Sequence, residues 1–565
     1  MRRYFEGEMR LLREAGEAYA EAYPEQARAL GLSSNHDRDP YVERMLEGFA
    51  FLTAQIRQRI DAAHETTAND LLDAYAADLV RPYPSATILR FTPGRRQQGV
   101  HRIPSQTTLI TPKHGEEKVR CRFRTTRAVD VFPLALESLS ATETLSGGTR
   151  FSLTFQYEGD EAPEDLPLGR IPFFIDADRP LALALHRLWT SAMHGIRVRS
   201  EKGRELPAGK LTFQPGGLDP QNAVNGSLDS ARPALRLLHD YFGFRSRFLF
   251  LELKGLDSVD FGEEGLNRFV VEFETERGLP RDHRLSERNL VPFCVPGVNL
   301  FPCEGKPLGA DGTTHEFEVR PEEDRRGTLQ VHSVTDVDAR GRASAEIRRL
   351  RPLRELIGHD EQYPWYAVEL RDLTGGNPDS WLRVGGLPLE ESHTLSLDLL
   401  ATQGNLPRRY VRSDQLESAG QALPAGISAH TQFRPTAWSP PPGDFSVNRL
   451  YCLLRTDLEE LLETESLRDL LKALEWQGAP DDSSRIQSLE KLSGEPFQMV
   501  RNGLLTSGIR ITLELREEVG FSSLDDIHLF GEVLHAFFQA VAPMNQAIET
   551  HVLCQPSGRS FRWRP

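Results

Sequence analysis

The sequence predicts an α+β protein, with an N-terminal helical segment, central β-rich mixed domains and a C-terminal helical/mixed domain. Three observations predict it. Up to about residue 80, apolar side chains recur at helical spacing. From Thr87 to Ala401 the chain breaks into short strand-like runs punctuated by Gly, Pro, Asp and Asn. Beyond the proline triplet Pro440-Pro441-Pro442, helical spacing returns.

The elements follow in order. Phe5, Met9, Leu12, Gly16, Tyr19 and Tyr23 share one face of a first helix, which Pro24 and Gly31 close. Asp39-Pro40 opens a second helix, since Asp caps free N–H groups and Pro suits the first helical position. Its stripe is Val42, Met45, Phe49, Leu52, Ile56 and Ile60, and a helix face this apolar is expected to be buried in a bundle. A third helical segment carries Leu71, Leu72, Tyr75 and Leu79 and stops at Arg81-Pro82. Among the strands, Phe151–Tyr157 alternates as a half-buried strand does; other runs are Thr87–Phe91, Phe269–Phe273, Leu329–Val334 and Leu395–Leu399. Helices interrupt near Arg179–Ala192 and Ala231–Phe242. Later helices are expected at Val447–Glu463, Ser466–Trp476 and Phe530–Leu553, with a strand at Ile509–Leu515. The expected domains are therefore 1–85 (helical), 86–255 and 256–433 (both β-rich), a linker over 434–446, and 447–565.

Composition excludes several classes of function. Of 565 residues, 67 are Lys or Arg and 82 are Asp or Glu, a net charge of −15 that repels phosphate backbones. No nucleic-acid partner is expected. No run of about 18 apolar residues exists to span a membrane. The N-terminus lacks a signal-peptide core, and five cysteines in so long a chain fit a reducing compartment, so a cytoplasmic location is expected.

Catalytic signatures are missing. There is no Gly-x-x-x-x-Gly-Lys-Ser/Thr phosphate loop, no dinucleotide glycine fingerprint, no His-Glu-x-x-His and no Cys-x-x-Cys. Cys294 and Cys303 read as buried thiols, His64 as an incidental residue between two helices, and Arg95-Arg96 and Arg348-Arg349 as solvated turns. No catalytic residue, cofactor or metal is expected. What remains is apolar helix surface at both ends. The candidate partner-facing residues are Phe5, Met9, Leu12, Tyr19, Val42, Met45, Phe49, Leu52 and Ile56, with Phe537, Phe538 and Val541 near the C-terminus.

Blocks of sequence in a common order resemble one family nearly end to end. They are Leu11-Leu12-Arg13-Glu14, Asp39-Pro40-Tyr41-Val42-Glu43-Arg44-Met45-Leu46-Glu47-Gly48-Phe49, Arg81-Pro82-Tyr83-Pro84-Ser85, Cys121-Arg122-Phe123-Arg124-Thr125-Thr126, Leu235–Phe242, Cys294–Phe301 and Leu529–Leu534. The chain resembles the type VI secretion baseplate subunit TssF, also called VasA or ImpG. Residues 401–407 and 448–454 depart from the family pattern and suggest a divergent branch.

The resemblance implies a structural role, similar to wedge proteins of contractile phage baseplates. Two copies would join one TssG through a helical bundle. Wedges would ring the VgrG spike, contact neighbouring wedges, TssK and TssE, and nucleate the sheath. Docking at the inner membrane complex would run through other subunits. Two alternatives stay open: an enzyme using a pair of carboxylates, and a stand-alone ligand- or peptide-binding protein.

Overall fold

The computed structural model describes residues 2–565 apart from 30–39, 95–96, 98, 117, 146, 160–167, 226–232, 262–266, 280–284, 325–326, 342–346, 357–362, 372–377, 389–391, 420–422, 443–451, 454–456 and 502–503. The chain divides into two units, residues 1–71 with 444–450, and residues 72–443 with 451–565.

In the first unit, α1 (Arg2–Ala22) and α2 (Pro24–Ala29) precede α3, which runs unbroken from Pro40 to Ala76. The separate third helix expected at Leu71 is the end of α3. The sequence between Ile60 and Leu71 contains neither Pro nor Gly, so nothing ends the helix there. At 37 residues α3 is about 55 Å long. Glu8 Oε1 accepts a bond from Arg57 Nη1 at 2.8 Å, linking α1 to α3.

The second unit is built of sheets. Six segments close a barrel in the order Ala86–Thr92, Cys294–Val298, Arg122–Thr125, Thr108–Ile110, Gln415–Ser418 and Ser428–Thr431. A five-stranded sheet joins Glu205–Leu206, Met193–Ser200, Arg268–Thr275, Thr149–Tyr157 and Leu134–Glu143. Its alternation works as the pattern Phe151–Tyr157 indicates. Phe151 lies opposite Phe273 and Phe155 opposite Phe269, with ring centroids 5.3 and 5.1 Å apart. Trp189, from α4 (Arg179–Ser191), stands edge-on to Phe151 and Phe273. A four-stranded sheet pairs Thr212–Pro215, Phe250–Lys254, Arg170–Ile175 and Leu290–Pro292. The eight-stranded sheet is drawn from residues 301–402.

This topology corrects the expected boundary at 255/256. The barrel, the five-stranded and the four-stranded sheets each take strands from both sides of it. Strand pairing over hundreds of residues leaves no local mark in the sequence. The described part of the expected 434–446 linker is also no free connector. Tyr83 bridges Ser439, the Ser85 hydroxyl donates to the Thr436 carbonyl at 2.7 Å, and Trp438 is buried. Residues 443–446 lie outside the described residues, as do Arg95-Arg96, the side chain of His64 and residues 447–451 and 454–456 of the helix expected at Val447–Glu463. Of that helix, Leu458–Leu461 is described as helical. Arg348 and Arg349 lie in the strand Ile347–Pro352 rather than in a turn, and Arg349 pairs with Asp336. Cys294 and Cys303 are buried free thiols, as expected.

The C-terminal part contains α5 (Thr464–Leu474), α6 (Pro480–Ser488), a long hairpin (Leu489–Arg501 and Leu504–Arg516), α7 (Leu524–Val541) and the strands Ala547–Gln555 and Ser560–Trp563. Here the expected helix Phe530–Leu553 is corrected: it stops at Val541, two residues before Pro543. Ala547–Gln555 then pairs parallel with Leu504–Arg516, with α7 as the crossover.

A buried ion network ties this part to the remainder of its unit. Asp526, at the start of α7, has a fully buried side chain and accepts from Arg485 at 2.8 Å and from Arg179 of α4 at 3.1 Å. Asp482 pairs with Arg485 and with Arg245. Burial alone would raise the Asp526 carboxyl; Arg485 and Arg179 instead hold it below its ordinary value. Gly520 closes over this network with φ of +76°, and a Cβ there would lie 2.4 Å from the Arg485 backbone nitrogen. Gly520→Ala is therefore expected to cost about 2 kcal/mol or more, from left-handed backbone strain plus a forced shift of α6. A denaturant midpoint equal to that of the parent chain would contradict this.

Candidate partner interface

The candidate surface lies on α3. A helix turns about 100° per residue, which places Tyr41, Met45, Phe49, Leu52, Ile56 and Ile60 within roughly 100° of one another. All six are exposed: Met45 77%, Phe49 57%, Leu52 58% and Ile56 58% among them. Val42, at the edge of the stripe, is half-buried. The opposite face holds Ala50, Ala54, Ala68 and Leu72, which are buried, as is Ala76 at the end of the helix, among the described side chains.

The expectation that Phe49 is buried in the chain's own bundle is thus corrected. The large apolar face is open, and a row of mostly alanines is covered. Small side chains let another backbone approach closely but remove little apolar area each. The side chains with most to gain from burial are left in water.

On α1 the predicted face, Phe5, Met9, Leu12 and Tyr19, is half-buried, and no residue of that helix is fully buried. Leu11 and Tyr23 are exposed at 52% and 55%. Charged groups on these helices pair with one another, as in Arg2–Glu6 at 2.7 Å and Arg57–Glu8, which leaves the apolar positions as the unsatisfied feature. Phe51, 48% exposed, widens the surface beyond the stripe; its place next to Leu52 in a run without charge was the available signal.

The C-terminal candidates behave differently. Phe537 and Phe538 are fully buried, and Val541 is half-buried. They lie on α7, which packs against its own sheet and against Ala234–Gly243; the Tyr241 and Phe530 rings are 5.4 Å apart. Phe537 and Phe538 are internal core, which removes them from the candidate surface.

The arithmetic of the stripe is informative. Burying what remains exposed on six large side chains contributes on the order of 5–10 kcal/mol. Association costs about 4–15 kcal/mol in lost freedom. The stripe alone only offsets that cost, so a stable complex also needs the half-buried face of α1.

Comparison with known proteins bears on this geometry. The family model described as Type VI secretion system, TssF matches residues 1–565. The Type VI secretion system component TssF1 of Pseudomonas aeruginosa is 26% identical over 616 residues, which covers 99% of this chain and 97% of that protein. A chain of the type VI secretion system TssK-TssF-TssG baseplate subcomplex, solved by cryo-electron microscopy, superposes with a TM-score of 0.80. It is 29% identical, over 93% of this chain and 98% of that one. A chain of the baseplate complex from the type VI secretion system shares the fold, with a TM-score of 0.62 at 23% identity, over 100% of this chain and 98% of the other. Matched from end to end, the chain belongs to the type VI secretion system TssF family.

Proposed function

We propose that this chain is a structural subunit of a type VI secretion baseplate, and that its N-terminal unit holds a TssG-like partner through the open faces of α1 and α3. The observation that carries the reading is the inverted helix: α3 exposes Met45, Phe49, Leu52 and Ile56 while it buries Ala50 and Ala54. A relative occurs in a solved complex of TssK, TssF and TssG, which supports TssG and TssK as partners. Two copies of this chain per TssG give two such faces a shared bundle to enter. Contacts with TssE, with the VgrG spike and with neighbouring wedges complete the proposed role, which is structural rather than catalytic. No helix among the described residues is long and apolar enough to cross a membrane, so attachment to the inner membrane complex runs through other subunits.

Co-expression with a TssG-like protein is expected to raise soluble yield. Native mass spectrometry should then show a complex with more of this chain than of the partner. A stable lone monomer, indifferent to the partner, would overturn the reading.

A further inference from the structure

Between α4 and α7 three chemistry-bearing side chains meet where no sequence motif announced them. His186 comes from α4; His528 and Glu532 lie one turn apart on α7. One ligand atom from each falls within 4.8 Å of the other two. All three residues are buried, with exposures of 1%, 3% and 5%. His186 Nε2, His528 Nδ1 and Glu532 Oε2 have no hydrogen-bond partner among the described residues. His186 Nε2 and Glu532 Oε2 lie 3.6 Å apart, too far for a hydrogen bond. Buried polar atoms are seldom left unmatched, and each such atom costs about 1–3 kcal/mol. Unpartnered atoms on all three members of one cluster indicate a missing common partner.

The chemistry of the set narrows that partner. Two imidazoles and one carboxylate suit a borderline divalent transition metal. The nearby Arg187 guanidinium is paired with Asp525 at 2.6 Å. The His528 ring is wedged against Phe561 and Trp563, with centroids 5.2 and 5.0 Å away, which fixes its orientation.

We propose that His186, His528 and Glu532 form a zinc site that staples α4 to α7, with one ion per chain. Zinc bonds of about 2.0–2.2 Å put tetrahedral ligand atoms roughly 3.3 Å apart, so the three groups need to close by at most about 1.5 Å. A water takes the fourth position. Full burial leaves no room for a substrate, so the ion's role is structural. This departs from the absence of a metal expected from sequence, where ligand spacing was the only guide.

The test uses the full-length chain, expressed with zinc, dialysed against metal-free buffer and assayed by elemental analysis. About one zinc per chain is expected. Glu532→Gln, which keeps shape and removes the anionic ligand, should retain the circular dichroism of the parent and bind zinc at least about 100-fold more weakly. Cobalt loaded in place of zinc should give the intense visible absorption of a tetrahedral site in the parent, and His528→Gln should lose it. Absence of retained zinc overturns the proposal. So does equal zinc in parent and Glu532→Gln, which would place the ion elsewhere. Should Glu532→Gln fail to fold, the parent's stoichiometry and cobalt spectrum decide alone.

Discussion

Phe49→Asp is expected to leave the isolated chain folded and to abolish its capture by a TssG-like partner. In the free chain Phe49 is 57% exposed, so a carboxylate there stays hydrated and costs the fold within about 0.5 kcal/mol. In the proposed complex the same position lies in the middle of the apolar stripe. A buried aromatic anchor is lost and a charge must be desolvated, together a penalty of at least about 2 kcal/mol, or roughly 30-fold in affinity. Glu43→Gln, off the stripe, serves as the matched control and should retain the partner. Circular dichroism, thermal midpoint, co-purification and sheath firing are the readouts. Unfolding of the isolated variant would return Phe49 to an internal core. Normal assembly and firing would move the interface off α3.

The second large effect belongs to Arg485→Met. Its guanidinium is 2% exposed and neutralises the wholly buried carboxylate of Asp526 and that of Asp482. Removing one partner of a buried pair typically costs about 3–5 kcal/mol, because the remaining charge cannot reach water. That is a large share of the roughly 5–15 kcal/mol that a domain has in total. The urea midpoint at pH 7 should fall steeply. The pH dependence follows from the depressed Asp526 carboxyl. Its stabilisation is full above the ordinary carboxylate pKa of about 4 and is lost as pH falls through the lower folded value. The gap between parent and variant should therefore narrow on acidification. A gap that is constant with pH, or absent at pH 7, would show that the network is not what fastens α6 to α7.

Much of the secondary structure was legible, because local periodicity causes it. Phe151–Tyr157 alternates because its phenylalanines must reach Phe269 and Phe273 on the neighbouring strand, and α4 shows its start in Arg179-Pro180. The errors arose where the deciding partner is remote. Ala547–Gln555 is apolar enough to read as helix; it is a strand because Leu504–Arg516 offers it an edge, with Pro543 as the one local hint. The α3 stripe is legible as a face, but periodicity says that a face exists and not whether the chain itself or a partner covers it. For the same reason Phe537 and Phe538 looked like surface candidates. The His186, His528 and Glu532 cluster escaped notice because two of its residues share a helix and the third arrives through tertiary packing.

The closed barrel has a consequence for how the protein is made. Its first strand, Ala86–Thr92, needs Ser428–Thr431 as one of its two neighbours. Translation at about 5–20 residues per second puts roughly 20 to 70 seconds between the emergence of those two segments. Throughout that interval Ile88, Leu89 and Phe91, all fully buried in the finished fold, have no completed barrel to enter. The nascent chain therefore exposes an unclosed sheet edge to the crowded cytosol for most of its synthesis. Ribosome-associated chaperones, and the pace of translation through residues 93–431, become determinants of how much baseplate a cell can build.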